Sequence, residues 1–325
     1  MPFAAMVGHR QACDVLRAAV ARGRVPQSLL FSGPDGVGKR AAALALAQAL
    51  NCPKARDGDG CGACPTCQRI ARGQHADVVT LDQGEAASIR IQALRDRVLD
   101  VAGYRPFEAA RRVFIIDPAD ALTAQAQDAL LKTLEEPAST TILVLITAYP
   151  DTLLPTVQSR CRRLRFGPLS RADVVRVLVE QGVEPSAART IAATANGSLA
   201  GAMAGAAGDA EDDRQAAIEL LASAARETPA GRMRAADRFA KHGSKRRDRD
   251  ALGSRLAVVT SLLRDLAAAQ AGVDDVDLDQ SVARLQSSYD LKRATTAFLA
   301  LAEAQTWLDR NAGPKIVADW VALAL

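Results

Sequence analysis

The chain has 325 residues, 49% of them apolar, and a formal net charge of +4. This length allows two or three domains with hydrophobic cores, while the mild charge excludes identifying a nucleic-acid binder from electrostatics alone. No apolar run reaches the ~20 residues of a membrane-spanning helix, and no basic, apolar leader opens the sequence. We therefore expect a cytoplasmic protein without membrane partners, whose six cysteines are better explained by metal binding or burial than by disulfides.

The amino-terminal segment contains Val7-Gly8-His9, followed by a predicted helix over Gln11–Ala21. A segment of this kind either wraps the base of a nucleotide bound at a neighbouring loop or covers the domain as an ordinary helix. The spacing of the residues leaves both interpretations open.

A glycine-rich loop follows a predicted buried strand and precedes an alanine- and leucine-rich segment that is predicted to be a helix up to Leu50. In this strand–loop–helix context, Gly33, Gly36 and Gly38 let backbone N–H groups surround an anion at the helix N-terminus. Lys39 adds a positive charge for the outer phosphates. The pattern predicts a phosphate-binding loop, and the alternative is a chance glycine turn.

Four cysteines form the sharpest local signal. Cys61, Cys64 and Cys67 are separated by two residues each, and Cys52 lies close upstream. Four thiolates suit a closed tetrahedral Zn²⁺ site with a structural role, and neighbouring glycines supply the turns that wrapping an ion requires. An iron–sulfur cluster and a set of free thiols are the alternatives.

The region from Asp77 to Phe166 alternates apolar strands with helices, which predicts a parallel sheet with helices on both faces. The predicted strands after the first are Asp77–Leu81, Val113–Asp117, Thr141–Thr147 and Leu164–Phe166. A predicted helix over about 123–136 lies between the strands Val113–Asp117 and Thr141–Thr147. The fold class is therefore α/β in this part of the chain.

Several residues around the loop argue against efficient nucleotide hydrolysis. Arg40 stands where such loops have a Ser or Thr hydroxyl that holds Mg²⁺, and arginine has no lone pair to offer a metal. Asp117 ends a strand where an acid holds Mg²⁺ in hydrolytic enzymes. The next residue, Pro118, has no base, and Asp120 is expected to point elsewhere. Thr147 either senses the phosphates or is an ordinary strand-end threonine.

Beyond the last predicted strand the pattern is helical only. Ser170 is predicted to cap one helix, a second is predicted over Pro185–Ala195, and the small, acidic stretch Gly201–Asp213 is predicted to be a linker. Residues 214–325 are helical and alanine-rich, with a break over Lys241–Asp250. The basic run Lys241–Arg249 in this break either contacts nucleic-acid phosphates or is a solvated loop.

Taken together, these residues resemble the clamp-loader branch of the AAA+ proteins of bacterial DNA polymerase III. The matching pieces of the first half are Val7–His9, Leu30–Lys39, the four cysteines, Phe114–Asp117, Ala129–Pro137, Thr147 and Leu154–Cys161. In the second half, Ala193–Ala200 resembles the small helical lid and Asn311–Pro314 resembles the end of the collar.

The resemblance implies a RecA-like AAA+ base over 1–167 with a zinc insertion at 52–67, a helical lid over 168–205 and a helical collar over 206–325. The collar would join gamma/tau and delta subunits in a five-subunit ring. Some family members have a degraded nucleotide site and act as stators, which use the arginine of the Ser-Arg-Cys triplet, here Arg160, in a neighbour's ATP site. Such a chain holds ATP or ADP without efficient hydrolysis and helps to load the sliding clamp on primer-template DNA.

Other functions stay open from the sequence. An active gamma/tau-type ATPase is the first alternative, because Lys39 is intact. A stand-alone zinc-ribbon nucleic-acid-binding protein is the second, although the mild net charge weighs against it. Arg160 itself is by default an exposed arginine in a surface salt bridge.

Overall fold

The computed structural model describes the chain except residues 85, 87, 207–209, 227, 241–244, 273–277, 279 and 310–311, and except the side chains of 190, 194, 210, 211, 245–250, 280 and 309. The chain divides into two compact units. The first unit comprises Met1–Glu180 and Asn196–Ala200, and the second comprises Gln181–Ala195 and Gly201–Leu325.

The first unit is built on a five-stranded sheet. Its strands are β1 (Ser28–Ser32), β2 (Val78–Leu81), β3 (Arg112–Ile116), β4 (Thr141–Thr147) and β5 (Arg162–Arg165). They lie in the order β2-β3-β4-β1-β5, and every neighbouring pair is parallel. The predicted parallel sheet is confirmed, with the last strand beginning two residues before the predicted Leu164.

The described residues of the first unit form eight helices. They are α1 (Arg10–Ala21), α2 (Lys39–Asn51), α3 (Pro65–Ala71), α4 (Ile91–Leu94), α5 (Asp100–Ala102), α6 (Ala124–Glu135), α7 (Pro155–Ser159) and α8 (Arg171–Glu180). A π-helical turn, Arg95–Leu99, joins α4 to α5, and short 3-10 turns cover Phe3–Ala5, Ala119–Ala121 and Pro150–Thr152. The Ser170 hydroxyl accepts a hydrogen bond from Asp173 N at 3.1 Å, as expected for the cap of α8.

Alternate residues of the strands enter two different cores. One core, beneath α1, α2 and α3, includes Leu29, Phe31, Val113, Ile115, Ile142, Val144 and Ile146. The other, beneath α4, α6 and α7, includes Leu30, Phe114, Ile116, Leu143 and Leu145. Because both faces of the sheet are covered by helices, the strands are apolar throughout. The predicted fold class, an α/β unit with helices on both faces of a parallel sheet followed by an all-α region, is confirmed.

The second unit is helical throughout its described residues. Its helices are α9 (Pro185–Thr194), α10 (Leu199–Ala204, whose first two residues belong to the first unit), α11 (Ala210–Arg226), α12 (Pro229–Ala240), α13 (Lys245–Gln270), α14 (Gln280–Ala283), α15 (Leu291–Asp309) and α16 (Pro314–Ala324). The helices α11 to α16 share one hydrophobic core, in which Leu256, Leu263, Leu301 and Val321 are fully buried. None of the helices described has the length and apolar character needed to cross a membrane.

The predicted linker over Gly201–Asp213 is wrong for its described residues, because α10 and the start of α11 occupy them. Alanine, which dominates this stretch, is the strongest helix former, so small residues here favour a helix rather than a linker. Asp213 also anchors the segment, since its carboxylate accepts a hydrogen bond from Arg255 Nε at 2.7 Å and both side chains are buried.

The basic run Lys241–Arg249 is described only in part. Lys241 lies outside the described residues, as do the side chains of the run's other basic residues. The backbone from Lys245 onward is already helical, so α13 begins inside the predicted break. The contact of this run with nucleic acid stays a prediction.

Candidate functional site

The glycine-rich loop leaves the sheet between its central strands. The N–H of Gly33 donates to the carbonyl of Thr147 at 3.2 Å, so the loop begins against the end of β4. Gly33 has a φ of 151°, and a Cβ there would lie 1.9 Å from the carbonyl oxygen of Phe166. No other residue fits this position, because β1 and the segment after β5 approach too closely for a side chain.

Lys39, the first residue of α2, directs its ammonium group into the loop. Its Nζ donates to the carbonyls of Gly33 at 2.5 Å and Pro34 at 2.7 Å, and lies 3.5 Å from Asp35 Oδ1. The residue is only 5% exposed. An ammonium has three donors, and the loop's own oxygens meet all three. A phosphate must therefore compete with these oxygens for Lys39.

Arg40 occupies the position at which such loops have a Ser or Thr hydroxyl that binds a metal. Its guanidinium Nη1 lies 3.8 Å from Asp117 Oδ2, at the end of β3. Burial raises the pKa of Asp117, and the positive charges of Arg40 and Lys39 offset part of that rise. Mg²⁺ requires several oxygen ligands. Here the positively charged guanidinium of Arg40 lies beside the Asp117 carboxylate, which would have to bind the ion. These residues do not fit a loop-bound Mg²⁺.

Thr147 and Asp120 lie together beside the loop. The Thr147 hydroxyl donates to Asp120 Oδ1 at 2.5 Å and accepts from Tyr149 N at 2.9 Å. The expectation that Asp120 points elsewhere is wrong, because the turn Ala119–Ala121 directs its carboxylate back to the end of β4. Burial raises the pKa of Asp120, and the Thr147 hydrogen bond opposes that rise.

A contact that the sequence did not reveal joins the loop to the start of α10. The Gly36 carbonyl accepts hydrogen bonds from Leu199 N at 2.9 Å and Ala200 N at 3.1 Å. A Cβ on Gly36, whose φ is 73°, would lie 2.2 Å from the Ser198 hydroxyl and 2.7 Å from Ala200 Cβ. The side chain at position 200 thus lies against the loop, and as a methyl group it offers no charge to a phosphate.

The amino-terminal segment also contacts the loop. His9 Nε2 lies 2.8 Å from the Val37 carbonyl, and its ring meets the Phe166 ring edge-on at 5.0 Å. An open groove of about 640 Å³ adjoins this segment and is lined by residues that include Met6, Arg10, Cys13, Arg17, Asp173 and Arg176. The loop residues do not line the groove, so a base-binding role for Val7–His9 stays a prediction.

The four cysteines of the insertion converge on one point. The Sγ atoms of Cys52, Cys61, Cys64 and Cys67 all lie within 4.8 Å of one another. Backbone N–H groups point at these sulfur atoms, for example Lys54 N at 3.3 Å from Cys52 Sγ. The N–H groups that follow Cys61 lower the pKa of its thiol to about 6 and so favour the thiolate. The donor set therefore fits a structural Zn²⁺ held by four sulfur atoms, with no position left open for a substrate.

The cysteine loop is tied to the rest of the first unit through polar side chains. Asp59 accepts hydrogen bonds from Phe3 N at 2.9 Å and Ala4 N at 2.8 Å. Gln48, on α2, donates through Nε2 to the Cys67 carbonyl at 2.7 Å. The insertion is thus a rigid attachment to α2 and to the amino-terminal turn.

Arg160 lies far along the chain from these groups, directly after α7. Its Nη2 lies 2.5 Å from Glu135 Oε1, and its Nη1 donates to the Thr156 carbonyl at 3.0 Å. The Arg160 side chain is 35% exposed, so part of the guanidinium faces solvent. The adjacent Cys161 is half-buried, and this burial raises the pKa of its thiol to about 12.

Comparisons with known proteins agree with this architecture. Residues 8–170 match the family described as DNA polymerase III, delta subunit. The delta' subunit of Bacillus subtilis DNA polymerase III is 30% identical over 318 residues, which cover 96% of this chain and 94% of that protein. The delta' subunit of Pseudomonas aeruginosa is 40% identical over 141 residues, 43% of each chain.

Other subunits of DNA polymerase III are also similar to this chain. The tau subunit of Escherichia coli DNA polymerase III is 34% identical over 203 residues, 61% of this chain and 31% of that protein. Among solved structures, a gamma subunit-related protein of DNA polymerase III from Thermotoga maritima is 18% identical, with a TM-score of 0.46 and coverage of 96% and 97%. From the family match over half of its length and the near full-length similarity to a delta' subunit, the chain belongs to the DNA polymerase III delta subunit family.

Proposed function

We propose that this chain is a clamp-loader subunit that does not hydrolyse ATP efficiently at its own loop and instead supplies Arg160 to the ATP site of a neighbouring subunit. The observation that carries the proposal is the pairing of Arg40 with Asp117, 3.8 Å apart, where hydrolytic relatives need a metal. Pro118, which follows Asp117, offers no general base. Two parts of a hydrolytic site are therefore replaced.

The loop retains the capacity to hold a nucleotide. Gly33, Gly36, Gly38 and Lys39 keep the backbone and the charge of an anion-binding loop. ATP or ADP would bind without a catalytic metal, and its phosphates would compete with the Gly33 and Pro34 carbonyls for the ammonium group of Lys39. Asp117 and Thr147 would then border the nucleotide without performing chemistry on it.

Arg160 is suited to act outside its own subunit. Its guanidinium is partly exposed at the end of a short helix, and the planar group can donate several hydrogen bonds to a phosphoryl group. An arginine supplied in trans stabilises the charge that develops on the transferred phosphoryl group. The neighbour performs the reaction, and this chain completes its site.

Assembly would depend on the helical second unit. The face of α15 carries Leu291, Phe298 and Leu299, all of which are exposed large apolar side chains. Such a stripe suits a partner helix. We infer a base over 1–167, a lid over 168–205 and a collar over 206–325, through which the chain joins gamma/tau and delta subunits in a five-subunit ring. The assembled ring would act on the sliding clamp and primer-template DNA.

The Cys52, Cys61, Cys64 and Cys67 cluster would hold one Zn²⁺ with a structural role. Reduced thiols of this kind suit the cytoplasm. The bound ion would keep the insertion rigid at the surface of the base, next to the amino-terminal turn.

The test is to reconstitute the loader from this chain and its motor, delta and clamp subunits, and to measure clamp- and DNA-stimulated ATPase. Arg160→Ala should lower turnover while gel filtration shows normal assembly. An isolated arginine finger contributes ~10³–10⁵ in rate, and the remaining sites of the ring dilute this loss. The matched control is Arg162→Ala, an exposed arginine two residues further on, which should leave turnover unchanged.

An active motor of the gamma/tau type is the second candidate, and the intact Lys39 favours it. The purified chain then hydrolyses ATP near the ~1 s⁻¹ or more of competent enzymes, and Lys39→Ala abolishes this activity. Our proposal expects turnover barely above background for the purified chain, so one measurement separates the two functions.

A further inference from the structure

Arg160 and Glu135 meet although they lie on different helices. Glu135 is the last residue of α6, and Arg160 directly follows α7. The 2.5 Å contact between Glu135 Oε1 and Arg160 Nη2 joins these two helix ends. A second hydrogen bond, from Arg160 Nη1 to the Thr156 carbonyl, turns the guanidinium back toward its own helix.

The two helices that carry this pair, α6 and α7, are held together by core packing and by a hydrogen bond. Leu134 and Val157, next to the pair on α6 and α7, are buried in the same core. At the other end of α7, Gln127 of α6 accepts a hydrogen bond from Leu154 N at 2.7 Å. Both ends of α7 are thus tied to α6, so the position of the Glu135 carboxylate relative to Arg160 is fixed by the fold.

We propose that Glu135 is a positioning residue that orients the Arg160 guanidinium for the ATP site of the neighbouring subunit. This inference rests on the proposed function of Arg160. A guanidinium has five N–H donors. Glu135, the Thr156 carbonyl and, at 3.5 Å, the Ser159 hydroxyl each engage one of them. The other N–H groups can meet a phosphoryl group, with the plane of the guanidinium already set by these contacts.

The pair contributes orientation rather than stability. Glu135 and Arg160 are 49% and 35% exposed, and ion pairs in such surroundings add little to folding. An unrestrained arginine side chain must lose rotamer freedom when it engages a phosphate. Because Glu135 has already removed part of this freedom, the interaction with the transition state is stronger, which is an effect on kcat rather than on KM.

The experiment uses the reconstituted loader with Glu135→Gln, Arg160→Ala and the double variant. Glu135→Gln should lower kcat about threefold with KM, assembly and melting temperature unchanged, in the range of coupling between residues in contact. The double variant should be no slower than Arg160→Ala alone, because Glu135 acts only through Arg160. The control is Glu136→Gln, an exposed glutamate next in sequence, which should match the wild type.

The outcomes separate the inference from the function on which it rests. A wild-type rate for Arg160→Ala overturns the in-trans function, and the inference with it. If Arg160→Ala is slow, the inference alone is overturned when Glu135→Gln matches Glu136→Gln, when it accelerates the ring, or when the double variant loses rate additively.

Discussion

Arg40 is a single residue that changes the charge balance of the glycine-rich loop. It places a permanent cation opposite Asp117, in the position from which a hydroxyl would face a metal. A guanidinium cannot be deprotonated in a protein, so the pairing persists at any pH at which Asp117 is ionised. The nucleotide affinity of this loop should therefore not depend on a divalent cation.

Arg40→Ser should give the loop a metal dependence that the wild type lacks. The variant returns a hydroxyl to the loop and frees Asp117 from its ion pair, so ADP should bind more tightly in Mg²⁺ than in EDTA. Hydrolysis should stay near background, because Pro118 still lacks a base. Calorimetric titration with ADP in both buffers measures this, and a wild-type affinity that collapses in EDTA would contradict it.

Asp77 is a buried residue whose carboxylate holds the backbone of the loop at residues 107–109. Its carboxylate accepts hydrogen bonds from the N–H groups of Phe107, Glu108 and Ala109 and pairs with Arg112 at 2.9 Å. Burial by itself would raise the pKa of Asp77, but these backbone N–H groups and the guanidinium lower it to about 2. The folded state thus prefers the ionised carboxylate.

The depressed pKa of Asp77 predicts how the stability of the first unit changes with pH. The ionised Asp77 carboxylate stabilises the fold fully when the pH is above the ordinary pKa of 3.8, and this stabilisation is lost as the pH falls toward 2. Its size is about 2.5 kcal/mol. Asp77→Asn should lower protection of β3 amides against hydrogen exchange at pH 7 by about that free energy, whereas Asp151→Asn, at an exposed position, should not. Equal protection in both variants would refute the role of Asp77.

At the scale of elements, the sequence predicts those structures whose signal is local. Strand β4 runs over the predicted Thr141–Thr147, and the two-residue spacings of the cysteines predict their convergence. What the sequence does not predict is contact between distant elements. The bonds from Leu199 and Ala200 to the Gly36 carbonyl span more than 160 residues and follow from tertiary packing. The return of Asp120 to Thr147 likewise depends on the register of β3 and β4.

The cysteine insertion is an element whose loss the first unit should survive. Cys61→Ser and Cys64→Ser should lose the single Zn²⁺ expected per chain, while the far-ultraviolet circular dichroism of the sheet and helices persists, because the two cores flanking the sheet lie outside the insertion. Cys13→Ser, which changes a buried thiol outside the cluster, is the control and should keep the metal. Iron in the metal analysis, or four reactive thiols without metal, would contradict the zinc assignment.

Removing the zinc should also loosen the amino-terminal turn. Asp59 sits between Cys52 and Cys61 in the chain and holds the amides of Phe3 and Ala4. When the metal no longer orders the insertion, these two amides should exchange with solvent faster, while the amides of β1 remain protected. Unchanged exchange at Phe3 and Ala4 would show that Asp59 holds the turn without help from the metal.

At the scale of the whole molecule, the proposed function assigns different tasks to the two units. The first unit contains the loop, the cysteine cluster and Arg160, and the second unit contains the exposed apolar stripe on α15. A variant of the second unit should therefore affect assembly without changing nucleotide or zinc binding. This expectation separates a collar from a second catalytic region.

Leu299→Asp tests the assembly role of the stripe. Leu299 is 65% exposed, so the substitution should change the stability of the free chain by no more than about 0.5 kcal/mol. Burying the new carboxylate against a partner helix would leave it without a counter-charge, and the affinity for the other loader subunits should fall at least about tenfold. Gel filtration with those subunits measures assembly, and the melting temperature of the free variant checks its folding.

The matched control is Val179→Asp, an exposed apolar residue of α8 in the first unit, which should assemble normally. Normal assembly by Leu299→Asp would mean that the chain joins its partners through another surface.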